Sequence, residues 1–312
     1  GCFANPEQNT PLIDEPVFGN VNGKSEALGY ILRTLAASGL RATFFTESLQ
    51  GRYFGNDRMA RVAETILEHD QDLQLHVHPC WTNFKDGVVT STAYNDHSTG
   101  RTVNDLVTIF AEAKERFEQW GFGSPVAVRT GNFSSGLDTF NAFKQLNIRS
   151  SSNIAMDLCP PKEPELRLNH GIHNVDGILE LPLTTYSTYN PLGQSVMRSL
   201  TVTATSETEM ISLLEHAHRQ KLESVCILTH PFEFIKADDF RYNNLRIHKL
   251  NQRRFEKLCQ FIARNNDRFE TGVFKELQVD NIKHYSHDVE MKTSYIQALS
   301  RAAQNFIYDK SA

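Results

Sequence analysis

The stretch LQLHVHPCW, residues 73–81, ends an apolar run with two histidines and stops it with a proline. In an extended chain successive side chains alternate between faces, so Leu73, Leu75 and Val77 share one face and Gln74, His76 and His78 the other. One face is core; the other carries two imidazoles to the C-terminal end of a strand, where parallel α/β folds place their sites. Two neutral imidazoles there, joined by a carboxylate, would hold a divalent metal with a position left open for water.

The same grammar of helix period followed by a short β-rich run repeats on both sides of this stretch. ALGYILRTLAA (27–37) precedes RATFFTE (41–47), MARVAETILEH (59–69) precedes the histidine strand, and LVTIFAEAKERFEQW (106–120) precedes PVAVRTG (125–131). Further on come LDTFNAFKQL (137–146) with NIRSSS (147–152), a lone GILELPL (177–183), TEMISLLEHAHRQ (208–220) with SVCILTHP (224–231), and RRFEKLCQFIARN (253–265) before TGVF (271–274). Leu106, Ile109, Phe110, Ala113, Phe117 and Trp120 form one helical face, whereas SVCIL is apolar on both faces, as a covered parallel strand is. About seven such units predict an α/β fold with a parallel sheet, closed as a barrel or open and doubly wound. Residues 82–100, 155–177 and 185–205 follow neither period and are expected to be loops, and residues 280–312 a C-terminal helical appendage to a body spanning 1–279.

Composition removes several classes of partner. A net charge of -5 with 22% charged residues of mixed sign offers no basic stripe for nucleic acid. No segment approaches the ~20 apolar residues of a transmembrane span, and GCFANPEQNT lacks the regions of a signal peptide. Five scattered cysteines without a CxxC pair indicate neither a disulfide framework nor a cysteine zinc site. The expectation is a soluble chain, cytoplasmic rather than secreted.

Ionisable groups stand at other strand ends too. Asp14-Glu15 follows the short PLI and precedes a helical run, so a strand at PLI would bring a base and a hard ligand to the rim. Arg129 ends PVAVR and leads into Thr130-Gly131-Asn132, bringing a guanidinium to the histidine rim. His230-Pro231 repeats the arrangement of His78-Pro79 and offers a general acid. Trp81 is a candidate platform for a sugar ring, and Asn132 and Glu233 are candidate substrate contacts.

The order of these pieces resembles the NodB-homology polysaccharide deacetylases, carbohydrate esterase family four, in the variants associated with surface polysaccharides. The resemblance runs over residues 11–277: Asp14-Glu15-Pro16 is similar to the first motif, followed by ATFF (42–45), LHVHP (75–79) to the second, RTGNF (129–133) to the third, LELPLT (179–184) to the fourth and LTHPFEF (228–234) to the fifth. It implies a distorted (β/α) barrel of about seven units and a Zn²⁺-dependent hydrolase that removes acetyl groups from N-acetylated sugars or polysaccharide precursors. By that resemblance Asp14 is the base, Glu15 with His76 and His78 or a neighbour holds the metal, Arg129 orients the base, and His230 protonates the departing amine. Two features depart from the family pattern. The histidines are two apart rather than four, and four beyond His76 stands Cys80, so the second ligand is His78 or Cys80. Asp14 and Glu15 are adjacent, where one residue commonly intervenes. The competing readings are another amidohydrolase acting on a small C–N bond and a catalytically silent carbohydrate-binding relative.

Overall fold

Five of the short runs lie side by side as strands. The computed structural model describes residues 12–93, 95–277 and 289–311. Its main sheet contains β1 (Thr43–Glu47), β2 (Asp72–Val77), β3 (Ala127–Thr130), β4 (Ser150–Ser151), β5 (His173–Val175) and β6 (Ile178–Glu180). Their order is β1-β2-β3-β4-β6-β5, with β5 antiparallel to β6 and every other pair parallel. The helices around them are α1 (Leu28–Ser38), α2 (Asn56–Leu67), α3 (Val103–Glu118) and α4 (Leu137–Gln145). The fold is therefore α/β, around a central mixed sheet.

The alternation in β2 does what its period demands. Leu73, Leu75 and Val77 join one apolar cluster with Val62, Ala63 and Ile66 of α2 and Leu106, Phe110 and Ala113 of α3. On the other face Gln74 is buried as a floor: its side-chain oxygen accepts from the N–H groups of Val126 and Ala127 (2.9 and 3.0 Å), and its amide donates to Asp72 (2.8 Å). A buried amide satisfied in this way fixes the register of β2 against the start of β3. That register sets Glu47, His76 and Arg129 abreast on β1, β2 and β3.

The second half departs more from expectation. Residues 185–205, expected as a loop, contain a hairpin of β7 (Thr185–Tyr189) and β8 (Ser195–Ser199), followed by α5 (Glu207–Arg219). SVCIL, expected as a full strand, makes a single bridge, Leu228 to Thr201. Its backbone nonetheless crosses the molecule, with Thr184 donating to the Cys226 carbonyl (3.1 Å) and Leu228 to that of Leu200 (3.0 Å). TGVF is not a strand, and α6 (Lys249–Arg264) precedes it. Of the appendage expected over 280–312, residues 280–288 lie outside the described residues, and α7 (Tyr295–Ser311) is helical as expected. It docks on α5 and β7, where buried Arg301 pairs with buried Glu209. No helix among the described residues is long and apolar enough to cross a membrane.

Candidate metal centre

Both imidazoles of the histidine strand are held by their Nδ1 atoms. His76 Nδ1 lies 2.8 Å from the Arg129 carbonyl, and since a carbonyl only accepts, that nitrogen carries the proton. Burial, and then the neighbouring His78, hold the His76 imidazole well below its ordinary pKa against the pull of that hydrogen bond. Neutral His76 protonated at Nδ1 presents Nε2 as a lone pair. His78 Nδ1 lies 2.8 Å from the Asp96 carboxylate, so its neutral form likewise presents Nε2. The two rings stand edge to face with centroids 4.7 Å apart.

Asp96 is a residue the sequence reading missed. It comes from the loop 82–100, where no periodicity marks it, and it is buried against His78. Burial pushes its carboxyl up, but His78, with help from Asn132 and the Cys80 N–H, outweighs this and holds it below the usual range. Asn132, expected to meet substrate, donates to Asp96 (2.8 Å) from a left-handed backbone position, φ 56°. Gly131 beside it leaves room for the imidazole: a Cβ there would come within 2.3 Å of His78 Nδ1. Glu47 accepts from the backbone N–H groups of Leu49 (2.9 Å) and His78, which ties the end of β1 to the end of β2.

Among the described residues, one group of three has potential ligand atoms close enough to share an ion: His78, Cys80 and Asp96, all within 4.8 Å of one another. Cys80 is disulfide-bonded, whereas Cys159, Cys226 and Cys259 are free. One such bond is not a framework, and an odd, scattered set of cysteines does not exclude it. His76 lies outside that group, and a sulfur so bonded is not a thiolate, so the donors the group retains are His78 and the Asp96 carboxylate, with the His76 ring edge to face beside His78.

The other candidates fall in several places. Asp14 and Glu15 lie in a one-turn helix, Asp14–Phe18, not at a strand end, and Leu12 and Ile13 before them are not extended strand. Asp14 pairs with Arg58 (2.5 Å) and Arg61 (3.5 Å) of α2, and neither acid belongs to the three-residue group. Ile13 supplies the reason: its side chain is buried in the main core, and Asp14 beside it faces the arginines of α2. Trp81 is not a sugar platform, since the turn after Pro79 buries it against Phe54 and Phe84. Arg129 lies over Phe45 and Phe133 (4.4 and 5.4 Å) and donates to the Ser152 carbonyl and hydroxyl (3.1 and 2.7 Å). No contact joins it to Asp14 among the described residues.

His230 is half-exposed and paired. Its Nδ1 lies 3.0 Å from Glu233, which also accepts from the His230 N–H and the Thr229 hydroxyl, and its ring stacks on exposed Phe232 at 5.0 Å. Cys226, four residues upstream, reaches Arg129 (3.7 Å), so this segment runs along the same face. The turn Pro231–Phe234 packs against the one-turn helix that carries Asp14 and Glu15.

Glu180 lies fully buried beneath this face, accepting from the N–H groups of Asn153 (2.7 Å) and Ile154 (3.1 Å) and from the Ser151 hydroxyl. Burial pushes its pKa up to about 7, against those hydrogen bonds and the nearby Arg129. A carboxyl whose folded pKa is raised is equally protonated in both states below the unfolded value. Its contribution is then lost as pH rises through the folded one. Relative to Glu180→Gln, the native protein should therefore lose stability between pH ~4.5 and ~7, by on the order of 3 kcal/mol, and then level off. Urea unfolding of both proteins across that range checks this; a pH-independent difference would refute it.

Fold and site together define an α/β protein with a histidine–carboxylate cluster on the C-terminal rim of its sheet. No protein-family model matches the chain, and no curated protein matches its sequence. Solved structures do. One is a Mycobacterium smegmatis protein assigned to the polysaccharide deacetylases: 13% identity, TM-score 0.48, covering 78% of this chain and 72% of that one. Another is a family 4 carbohydrate esterase from Streptomyces lividans in complex with acetate: 8% identity, TM-score 0.44, covering 86% and 93%. A third is a CE4 family pseudoenzyme from Bacillus anthracis: 10% identity, TM-score 0.41, covering 80% and 59%.

Proposed function

We propose that the chain is a NodB-like polysaccharide deacetylase with a distorted β/α barrel, removing acetyl groups from an N-acetylated sugar or its polymer with the help of a divalent ion, most simply Zn²⁺. The observation that carries this reading is the pair His76 and His78 at the end of β2, each with Nδ1 anchored and Nε2 left as a donor. An outer hydrogen bond that fixes the tautomer is the habit of metal-binding histidines. Five family-like motifs in order along the sequence add the substrate class. Bound there, the ion would polarise the acetyl carbonyl and a water molecule.

The chain's own groups supply the proton chemistry. His230, oriented by Glu233 at Nδ1, gives the leaving amine a proton from Nε2. Phe232, stacked beneath that ring and exposed, offers a surface for a sugar. Asp14, the base by resemblance, performs that role after leaving Arg58 and Arg61. One observation favours a second reading: with Asp14 held by two arginines of α2, the chain would bind carbohydrate without cutting it.

Acetate release from N-acetylglucosamine oligomers, measured after chelation and again after zinc is restored, separates these readings. The expected result is zinc-dependent acetate, with turnover lowered roughly 10²–10⁴-fold by His230→Ala, whose half-exposed side chain the fold does not need. Sugar binding without acetate release would support the silent reading instead.

A further inference from the structure

Three buried side chains converge just past the end of β2. His78 follows the strand, Cys80 lies in the turn Pro79–Asn83, and Asp96 arrives from the loop 82–100. The Asp96 carboxylate spans the other two residues: one oxygen lies 2.8 Å from His78 Nδ1, and the other accepts from the Cys80 N–H at 3.4 Å. An imidazole nitrogen, a sulfur and a carboxylate oxygen thus lie within 4.8 Å of one another. That is a donor set for zinc or cobalt, whose tetrahedral bond lengths of about 2.0–2.3 Å bring ligand atoms to roughly 3.3–3.8 Å apart. The sulfur is the member out of service, because Cys80 is held in a disulfide. We propose that this bond is a redox gate on the metal centre: its reduction makes Cys80 a third donor beside His78 and Asp96, and only then is the ion held tightly. The gate rests on the reading of His78 as a metal ligand given above.

The step is a two-electron exchange. A dithiol attacks one sulfur of the bond and the other sulfur leaves as a thiolate. The reductant's second thiol then displaces the first as its own disulfide closes, leaving Cys80 and its partner as thiols. On coordination Cys80 gives up its proton, since the ligand is the thiolate and not the thiol. A disulfide sulfur offers an ion no charge, so the closed form has one imidazole and one carboxylate, whereas the open form adds a second anion. Burial sharpens the difference: all three residues are shut away from water, and attraction between an ion and a thiolate is screened far less there than at the surface. The turn that carries Cys80 has its own supports. The Trp81 N–H donates to the His78 carbonyl (3.1 Å) and the Thr82 hydroxyl to the Pro79 carbonyl (2.7 Å), so breaking the disulfide leaves the sulfur beside the same two neighbours. Cys159, Cys226 and Cys259 are thiols in both forms and belong to no such group among the described residues.

Cobalt binding to the full chain, followed by absorbance, is the test, because a thiolate ligand adds a sulfur-to-cobalt charge-transfer band that nitrogen and oxygen donors do not give. The protein is purified without reductant and compared before and after incubation with a phosphine. The phosphine cleaves the bond with water to give two thiols and the phosphine oxide, and it brings no competing thiol. Three free cysteines rising to five marks complete reduction. Reduction should tighten cobalt binding at least about a hundred-fold and bring the band with it, whereas Cys80→Ser should bind like the oxidised native protein with or without phosphine. Equal affinity and spectrum in the two forms of the native protein overturn the gate, as does a band that survives in Cys80→Ser. Loss of the thermal transition on reduction would make the bond a staple of the fold alone and overturn it too. His76→Ala keeps the two readings apart: if it retains the metal of the oxidised protein, the histidine-pair site fails, while the gain on reduction, which needs His78 and not His76, is judged separately in the native chain.

Discussion

Exchange of His76 for alanine is expected to abolish stoichiometric binding of a divalent ion while leaving the fold in place. The side chain spends one hydrogen bond on the Arg129 carbonyl, so its removal should cost the fold about 1 kcal/mol. What it removes from the proposed site is one of two imidazole donors. The contrast with Asp96→Asn gives the prediction its edge. Asp96 holds the outer nitrogen of His78, and loss of such an outer partner typically weakens metal affinity ~10–100-fold without abolishing it. Elemental analysis of the purified native protein and both variants, supplied with zinc and dialysed, should therefore show full, absent and reduced occupancy for the native protein, His76→Ala and Asp96→Asn. Full occupancy in His76→Ala would remove the histidine pair from the site. A similar loss in both variants would make Asp96 a direct ligand rather than a support.

That histidine face was legible because a strand's period is local: once 73–78 is extended, the faces of Leu75 and His76 follow whatever surrounds them. Helix periods were equally local, and the apolar face predicted from Leu106 to Phe117 is the buried face of α3. The failures share a different cause. β7 and β8 read TYSTY and SVMRS, polar enough to pass for loop, yet Tyr186 and Thr188 are buried because α7 and α5 cover them. SVCIL carries every local mark of a strand and still makes one bridge, since pairing depends on a neighbour that local pattern does not specify. Asp96 is the sharpest case. Nothing around it in sequence distinguishes it from other loop acids, and its place beside His78 exists only after loop 82–100 folds back over β2 and β3. Asp14 fails in the opposite direction: its sequence neighbours suggested a strand end, and burial of Ile13 turned it to Arg58 instead.

Replacing Arg301 with methionine is expected to destabilise the protein by about 3–5 kcal/mol, a fall of roughly 10 °C in Tm. Arg301 and Glu209 are 5% and 0% exposed, so the methionine leaves a carboxylate without its cation where water cannot replace it. Glu209 cannot turn away to relieve this. Its other oxygen accepts from the Ser206 backbone and hydroxyl (2.9 and 2.7 Å) and so caps the start of α5, while Thr293 reaches it at 3.4 Å. A second substitution tests whether the cost lies in the stranded charge. Glu209→Gln keeps an oxygen for the cap, as glutamine does in a capping box, and removes the charge, so Arg301→Met/Glu209→Gln should regain most of the loss in urea unfolding. If the double variant is as unstable as Arg301→Met, packing of the arginine stem rather than charge is what the pair contributes.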